Sequence, residues 1–290
     1  MARTILICSA VLALAGCGGK AAGGKLPVVA STNVYGDIAR QIGGAHVAVT
    51  SVLSDPNADP HLFEPGTANG LAVARARVVI ENGLNYDSFM TRLERAAPSS
   101  RRHVLSVADV LGVRGADANP HLWYDVRALS KIASAIEQAL AQADAKHAAA
   151  YGNGLHAFVT SLAPLLRAVA EIRAAHAGAP VAYTEPVAGY LIQAAGLRNL
   201  APSSFTRPIE QGTEPSASAV SAMTALAANG KIRVLLYNAQ AVSPITARIR
   251  AAAQRAGVPV VSTSETLPAD STFQRWQLGQ VQKLRKALAR

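Results

Sequence analysis

The sequence predicts an α/β fold of two lobes, each with a parallel β-sheet, joined by one long α-helix. Short runs rich in β-branched apolar residues alternate with helical patterns in both halves of the chain, as in parallel α/β units. One amphipathic segment of about thirty residues separates the halves. The length of 290 residues suits two lobes better than one domain of ~100–200 residues.

The residue composition excludes several classes of protein. Half of the residues are apolar and 16% are charged, the opposite of the balance in disordered chains. The formal charge is +10, but Lys and Arg are scattered and no nucleic-acid-binding motif is present. We therefore expect a solvated basic surface and no nucleic-acid partner. Because no run of ~18 consecutive apolar residues occurs, we also expect no transmembrane helix.

The first sixteen residues are predicted to be a lipoprotein signal peptide. Arg3 precedes the apolar run Thr4–Leu14, which is too short to span a bilayer but is typical of a secretion signal. Leu14-Ala15-Gly16-Cys17 resembles the bacterial lipobox, in which the cysteine becomes the first mature residue and carries the lipid. An ordinary signal peptide cleaved near Ala15 is the alternative, and Cys17 would then be incidental.

The two cysteines agree with a lipid anchor. Cys8 would leave with the signal peptide and Cys17 would be lipidated, so the mature chain would have no disulfide and no thiolate metal site. Residues 17–25 are rich in glycine and predict a flexible tether. We therefore expect the protein on the outer face of a bacterial membrane or in the periplasm, held by its lipid.

The first lobe is predicted to span residues 26–143. Its strands are runs of mainly β-branched residues: Pro27–Ser31, His46–Leu53, Arg77–Ile80 and His103–Val107. Its helices follow the helical period: Tyr35–Ile42, Thr67–Arg75, Asp87–Ala96 and Val126–Gln142.

A connector helix is predicted over residues 144–177. Apolar residues recur there every three or four positions: Tyr151, Leu155, Phe158, Leu162, Leu165, Val169 and Ile172. Gly152 and Gly154 weaken the helical pattern, and Pro164 should kink the helix or leave one backbone hydrogen bond open.

The second lobe is predicted over residues 178–290, with the same alternation. Its strands are Pro180–Thr184, Arg233–Tyr237 and Val258–Thr263. Its helices are Val187–Ala195, Ser216–Ala228, Pro244–Ala256 and Thr272–Ala289.

Two of the seven histidines stand out as candidate metal ligands. His61 lies in Asp-Pro-His-Leu-Phe-Glu-Pro and His121 in Asn-Pro-His-Leu-Trp-Tyr-Asp. Each follows a proline, which stiffens the approach to the imidazole, and the two contexts match. The others fall inside or beside regular elements and are predicted to be structural: His46, His103, His147, His156 and His176.

Two glutamates in the second half are candidate partners. Glu185 and Glu265 follow predicted parallel strands, at the carboxyl ends where open α/β sheets bind ligands. The alternative for either is a charge that stabilises the N-terminus of the next helix. The phosphate loop and the H-E-x-x-H and G-x-S-x-G motifs are absent from the sequence.

The chain resembles the metal-binding lipoproteins of bacterial ABC importers for zinc and manganese. The resemblance rests on the two histidine motifs and on Val79-Ile80-Glu81-Asn82-Gly83-Leu84, and it extends from Val28 to Leu288. It implies two α/β lobes joined by a single long helix, with the metal between the lobes and two ligands from each.

Carried over by position, the implied ligands are His61, His121, Glu185 and Glu265. Glutamate at the third position matches many manganese binders, whereas zinc binders usually have histidine there. The fourth position is usually aspartate, so Glu265 is a departure and Asp270 is its rival. The histidine-rich loop common in zinc binders is absent between the first two ligands.

The resemblance implies that the chain captures Mn²⁺ or Zn²⁺ outside the cytoplasm and delivers it to an ABC permease and its ATPase. We expect a monomer and no enzymatic activity. Two imidazoles and two carboxylates suit manganese, although zinc generally binds such sites more tightly. An exported metal-dependent hydrolase is one alternative, and it would need an open coordination position. A lipid-anchored adhesin is another, but it would not require the matched histidines.

Overall fold

The computed structural model describes residues 24–290. The predicted signal peptide, Cys17 and most of the predicted tether lie outside the described residues.

The first lobe is a four-stranded sheet with five α-helices. The strands are β1 Leu26–Thr32, β2 Val47–Leu53, β3 Val78–Glu81 and β4 His103–Ser106. The helices are α1 Asn33–Gly43, α2 Thr67–Arg75, α3 Ser88–Ala96, α4 Val107–Leu111 and α5 Leu129–Ala143. All strand pairs are parallel, in the order β2-β1-β3-β4.

The central strands β1 and β3 are mainly apolar, apart from their carboxyl ends, because helices cover both faces of the sheet. Val28 and Val78 face one hydrophobic core, and their neighbours Val29 and Val79 face another on the opposite side of the sheet. The sequence pattern of uninterrupted apolar runs follows directly from this double burial.

The connector is a long helix with a bend, as predicted. It consists of α6 Ala148–Ser161 and α7 Ala163–His176, and Pro164 lies in the first turn of α7, where its missing N–H breaks no hydrogen bond. The carbonyl of Ile42 occupies the place that a Cβ of residue 154 would take, so Gly154 lets α1 approach α6 closely.

One face of the connector packs into the protein core. Tyr151, Phe158, Leu165 and Ile172 recur every seven residues and are all buried. By length and composition the segment Ala145–His176 could also cross a membrane. Its apolar stripe is instead packed against other helices of the described chain.

The second lobe repeats the topology of the first. Its strands are β5 Pro180–Tyr183, β6 Arg198–Asn199, β7 Val234–Asn238 and β8 Val260–Thr263, all parallel and in the order β6-β5-β7-β8. Its helices are α8 Gly189–Ala194, α9 Ser203–Glu210, α10 Ala217–Ala228, α11 Pro244–Arg255 and α12 Phe273–Leu288. The predicted fold class of two parallel α/β lobes is confirmed.

Three short elements, α4, β6 and α9, have no counterpart in the sequence prediction. β6 has only two residues, and α9 has eight residues with Pro208 among them, so both are too short to be recognised from the sequence pattern. β8 begins at Val260, two residues later than predicted, because Pro259 has no N–H to donate to a neighbouring strand.

One hydrophobic core runs through both lobes and the connector. It includes Val28 of the first sheet, Leu236 of the second, Tyr151 of α6 and Leu284 of α12. The C-terminal helix α12 packs on α7 and reaches α1, so it ties the second lobe back to the first.

Candidate metal centre

His61 is presented by a short 3₁₀ turn, Pro60–Leu62, in the loop after β2. The side chain of Asp59 accepts a hydrogen bond of 2.9 Å from the backbone N–H of His61, and Pro60 stiffens the turn. The Asp-Pro-His motif therefore fixes the direction of the imidazole. Its Nε2 lies 2.7 Å from Oε1 of Glu185 in the other lobe.

His121 is fully buried, and Asn119 orients it. Oδ1 of Asn119 lies 2.8 Å from His121 Nδ1 and also accepts from the His121 backbone N–H at 3.1 Å. The amide nitrogen of Asn119 donates to the carbonyl of Pro186 at 2.8 Å, which identifies Oδ1 as the acceptor. The Nδ1 atom therefore carries the proton. The other ring nitrogen, Nε2, faces Oε2 of Glu265 at 3.1 Å.

Glu185 follows β5 and Glu265 follows β8, as the sequence predicts, and both are buried. Asn238, at the end of the intervening strand β7, donates one hydrogen bond to each carboxylate, at 2.7 Å in the case of Glu265 Oε1. The hydroxyl of Tyr86, from the first lobe, donates to Glu265 Oε2 at 2.9 Å. The two carboxylates are thus held in fixed orientations.

The structure brings the four predicted ligands together between the lobes. Potential ligand atoms of His61, Glu185 and Glu265 lie within 4.8 Å of one another, and His121 adjoins this group through Glu265. The rival fourth ligand, Asp270, is exposed and has a left-handed backbone with φ of 56°. The geometry therefore favours Glu265 over Asp270.

The imidazoles and carboxylates of the centre shift one another's pKa values. Burial opposes the protonation of His61, but its hydrogen bond to Glu185 and the negative charge of that carboxylate outweigh burial and raise the pKa of His61 to about 9. Burial alone would raise the pKa of Glu265, but the hydrogen bond and charge of His121 and the charge of His61 lower it below its usual value. Without a cation, protonated histidine therefore balances the buried carboxylates.

Gln240 joins the two ligand loops across the lobe boundary. Its amide nitrogen donates to the carbonyls of Pro56 and Ala58, at 3.0 and 3.1 Å, in the loop that leads to His61. Its carbonyl oxygen accepts from the backbone N–H groups of Glu265 and Thr266. Gln240 thus links the loop before His61 to the backbone of Glu265.

Sequence reasoning missed Asn119, Asn238, Gln240 and a further carboxylate, Glu210. Glu210 ends α9, and its Oε2 lies 3.9 Å from Nδ1 of His121. Burial raises the pKa of Glu210 to about 7; the charge of His121 partly offsets this, and Glu185 and Glu265 add to it. The position of Asn119 two residues before His121 was the one available signal, since such residues often hydrogen-bond the backbone two positions on.

A cleft of about 880 Å³ leads from solvent to the site. His61, Tyr86, Tyr183 and Glu210 line it, whereas His121, Glu185 and Glu265 do not. A small cation held by the buried residues would therefore be separated from solvent by the side chains that line the cleft. Two imidazole nitrogens and two carboxylates supply four to six donor atoms, which suits a divalent transition metal.

Comparison with known proteins places the chain in a family and agrees with the fold. The family described as zinc-uptake complex component A, periplasmic, matches residues 28–287. The manganese-binding lipoprotein MntA of Bacillus subtilis is 30% identical over 153 residues, 49% of each chain. The zinc-binding protein TroA of Treponema pallidum is 27% identical over 148 residues, 46% of this chain and 48% of TroA. The chain thus aligns with about half the length of these curated relatives.

Solved structures extend the likeness of fold to almost the whole chain. The periplasmic zinc-binding protein TroA superposes with a TM-score of 0.77 at 20% identity, covering 92% of this chain and all of TroA. A manganese-bound periplasmic metal-binding protein of Candidatus Liberibacter asiaticus gives 0.75 at 18% identity, covering 91% of this chain and all of that chain. The resemblance found in the sequence is confirmed, and the chain belongs to the ZnuA family of periplasmic metal-uptake components.

Proposed function

We propose that this protein captures Mn²⁺ or Zn²⁺ outside the cytoplasm and delivers it to an ABC permease. The observation that carries the proposal is the cluster of His61, Glu185 and Glu265 at the lobe boundary, which His121 adjoins through Glu265. Each lobe thus supplies two of the four residues. A cation bound there would replace the proton of His61 and neutralise the carboxylates. One chain supplies all four ligands, so we expect it to act as a monomer.

The donor set favours manganese as the cargo. Two imidazoles with two carboxylates offer a hard site that can expand beyond four coordination, whereas tetrahedral zinc is more often held by additional nitrogen or sulfur. The relatives include proteins named for manganese and for zinc. Because zinc outranks manganese in general affinity, the supply of metal outside the cell would decide the ion that is carried.

Capture is favoured over metal-dependent hydrolysis. The family comprises substrate-binding transport proteins rather than enzymes. The side chains of His121 and Glu265 are fully buried, so a substrate larger than an ion could not reach the centre in this conformation. Asn238 and Tyr86 already hydrogen-bond the carboxylates, which disfavours a role as free general base.

We propose that Cys17 carries a lipid and that residues 17–25 tether the domain to the outer face of a bacterial membrane or within the periplasm. Relatives named as substrate-binding lipoproteins of metal ABC transporters support this placement. The same names support a permease and its ATPase as partners.

Metal content and calorimetry together test the proposed function. The mature chain is expressed with and without Mn²⁺ or Zn²⁺ and analysed by mass spectrometry for bound metal, then titrated calorimetrically with each ion. We expect one ion per chain, and loss of binding in the double variant His61→Ala, Glu265→Gln. A double variant His147→Ala, His176→Ala is the matched control. Failure of the parent chain to bind either ion would overturn the proposal.

A further inference from the structure

Glu210 is a fifth charged side chain at the centre, outside the four proposed ligands. It belongs to α9, and its side chain is 15% exposed. Its Oε2 approaches the Nδ1 edge of His121, whereas Glu265 faces the Nε2 edge of the same ring. An ion held by Nε2 would therefore lie on the far side of the imidazole from this oxygen, so Glu210 is not placed to complete the final coordination shell.

The Oε2 atom of Glu210 is buried and has no hydrogen-bond partner among residues 24–290. The neighbouring carboxylates differ, since Asn238 and Tyr86 donate to the oxygens of Glu185 and Glu265. Burying a carboxylate oxygen without a donor costs free energy. The Glu210 carboxylate therefore has an oxygen without a donor on the side of His121, while part of its side chain remains exposed at the cleft.

Glu210 has a defined place at the entrance cleft. Of the proposed ligands, His61 alone lines the cleft, and Glu210 lines it with His61. Because Glu185 and Glu265 do not line the cleft, His61 and Glu210 are the members of this cluster that border it. A hydrated divalent ion must also lose water in steps, and a carboxylate oxygen is a suitable first replacement.

We propose that Glu210 is an entry carboxylate, which binds the incoming divalent cation transiently and passes it to His61 and Glu185. This inference rests on the proposed function, because it describes how the same site loads. A residue that holds the ion only in passage lowers the barrier in both directions. Its removal should therefore slow association and dissociation by similar factors and change the dissociation constant little.

Stopped-flow kinetics of Mn²⁺ and Zn²⁺ with the Glu210→Gln variant test this role. Trp123 provides the fluorescence signal, because its ring centroid lies 5.3 Å from that of His121. Association is followed on mixing with metal, and dissociation on mixing the loaded protein with excess chelator. The control is Glu214→Gln, which removes the same charge from an exposed residue of the groove beside His61 and Leu62.

We expect Glu210→Gln to slow both rates about tenfold, equivalent to ~1.4 kcal/mol of barrier. Glu214→Gln should leave both rates within about twofold of the parent values, as a screened surface charge would. Unchanged rates in Glu210→Gln would overturn the inference. A larger dissociation constant together with faster dissociation would also overturn the inference, because that result would make Glu210 a ligand of the bound ion. If the parent chain bound no metal at all, the proposed function itself would fail.

Discussion

Asn119 accepts a hydrogen bond from Nδ1 of His121 and thereby turns Nε2 of that ring towards the metal centre. The same asparagine also bonds the carbonyl of Pro186 in the other lobe. Removing it should free the ring to rotate and to change tautomer. We expect Asn119→Ala to weaken metal binding by ~10–100-fold, the usual effect of a group that orients a ligating histidine.

Calorimetric titration of Asn119→Ala with Mn²⁺ and Zn²⁺ measures this loss. Asn57→Ala, at an exposed position of the loop before His61, is the control and should bind like the parent. An Asn119→Ala variant with parental affinity would mean that the His121 ring is held by its packing alone.

The two proline-flanked histidines should dominate metal affinity. His61→Ala or His121→Ala should weaken binding by well over tenfold, because a lost ligand atom costs more than a lost orienting group. His147→Ala and His176→Ala should have little effect, as both residues lie on or beside the connector. Equal losses in all four variants, measured by the same titration, would contradict the ligand assignment.

Glu185 should set the preference between metals. Replacing it with histidine removes a carboxylate that can bind through two oxygens and adds a nitrogen, which lowers the coordination number and softens the site. Glu185→His should therefore move the ratio of the Mn²⁺ and Zn²⁺ dissociation constants towards zinc. An unchanged ratio would indicate that Glu185 does not touch the metal and serves only as a charge before α8.

Metal affinity should rise with pH across the neutral range. His61 has a pKa of about 9 in the metal-free protein, so near pH 7 it is protonated, and a cation must displace that proton to bind. Each unit of pH gained below about 9 should strengthen apparent binding about tenfold for this proton alone. Titrations from pH 6 to 8.5 in buffers of different ionisation enthalpy measure the slope and the proton release. A flat profile would contradict the high pKa.

The lipid anchor is a separate prediction from the sequence. Cys17→Ser should release the protein from membranes, because the lipid would have no attachment point, and metal binding should remain intact. Membrane fractionation with immunodetection measures the release, and Cys8→Ser is the control that should stay in the membrane fraction. A Cys17→Ser protein that remained bound to membranes would contradict the lipobox interpretation.

The sequence predicted both lobes, the bent connector and four residues that the structure brings together. The central strands were visible because burial on both faces makes them mainly apolar, and the histidines were visible because proline and a turn-forming Asp or Asn precede each one. Asn238 could not be recognised in the same way. Its role depends on β7 lying between β5 and β8, and the order of strands in a sheet cannot be inferred from the local periodicity of the sequence.

Glu210 escaped prediction for a related reason. It ends a short helix interrupted by Pro208, and the surrounding sequence has no metal-binding spacing. Only the tertiary fold brings it to the Nδ1 edge of the His121 ring. Gln240 is similar, since its partners lie in the opposite lobe about 180 positions earlier in the sequence.

The continuous hydrophobic core has a consequence for the way the protein can be divided. The core draws on Val28 of the first sheet, Tyr151 of α6 and Leu284 of α12, so neither sheet with its own helices encloses a complete interior. A fragment that ended before the connector would expose the apolar faces of α1 and α5 to water. The two lobes are therefore halves of one cooperative folding unit, and a hybrid made by exchanging lobes between relatives would have to exchange the connector and α12 as well.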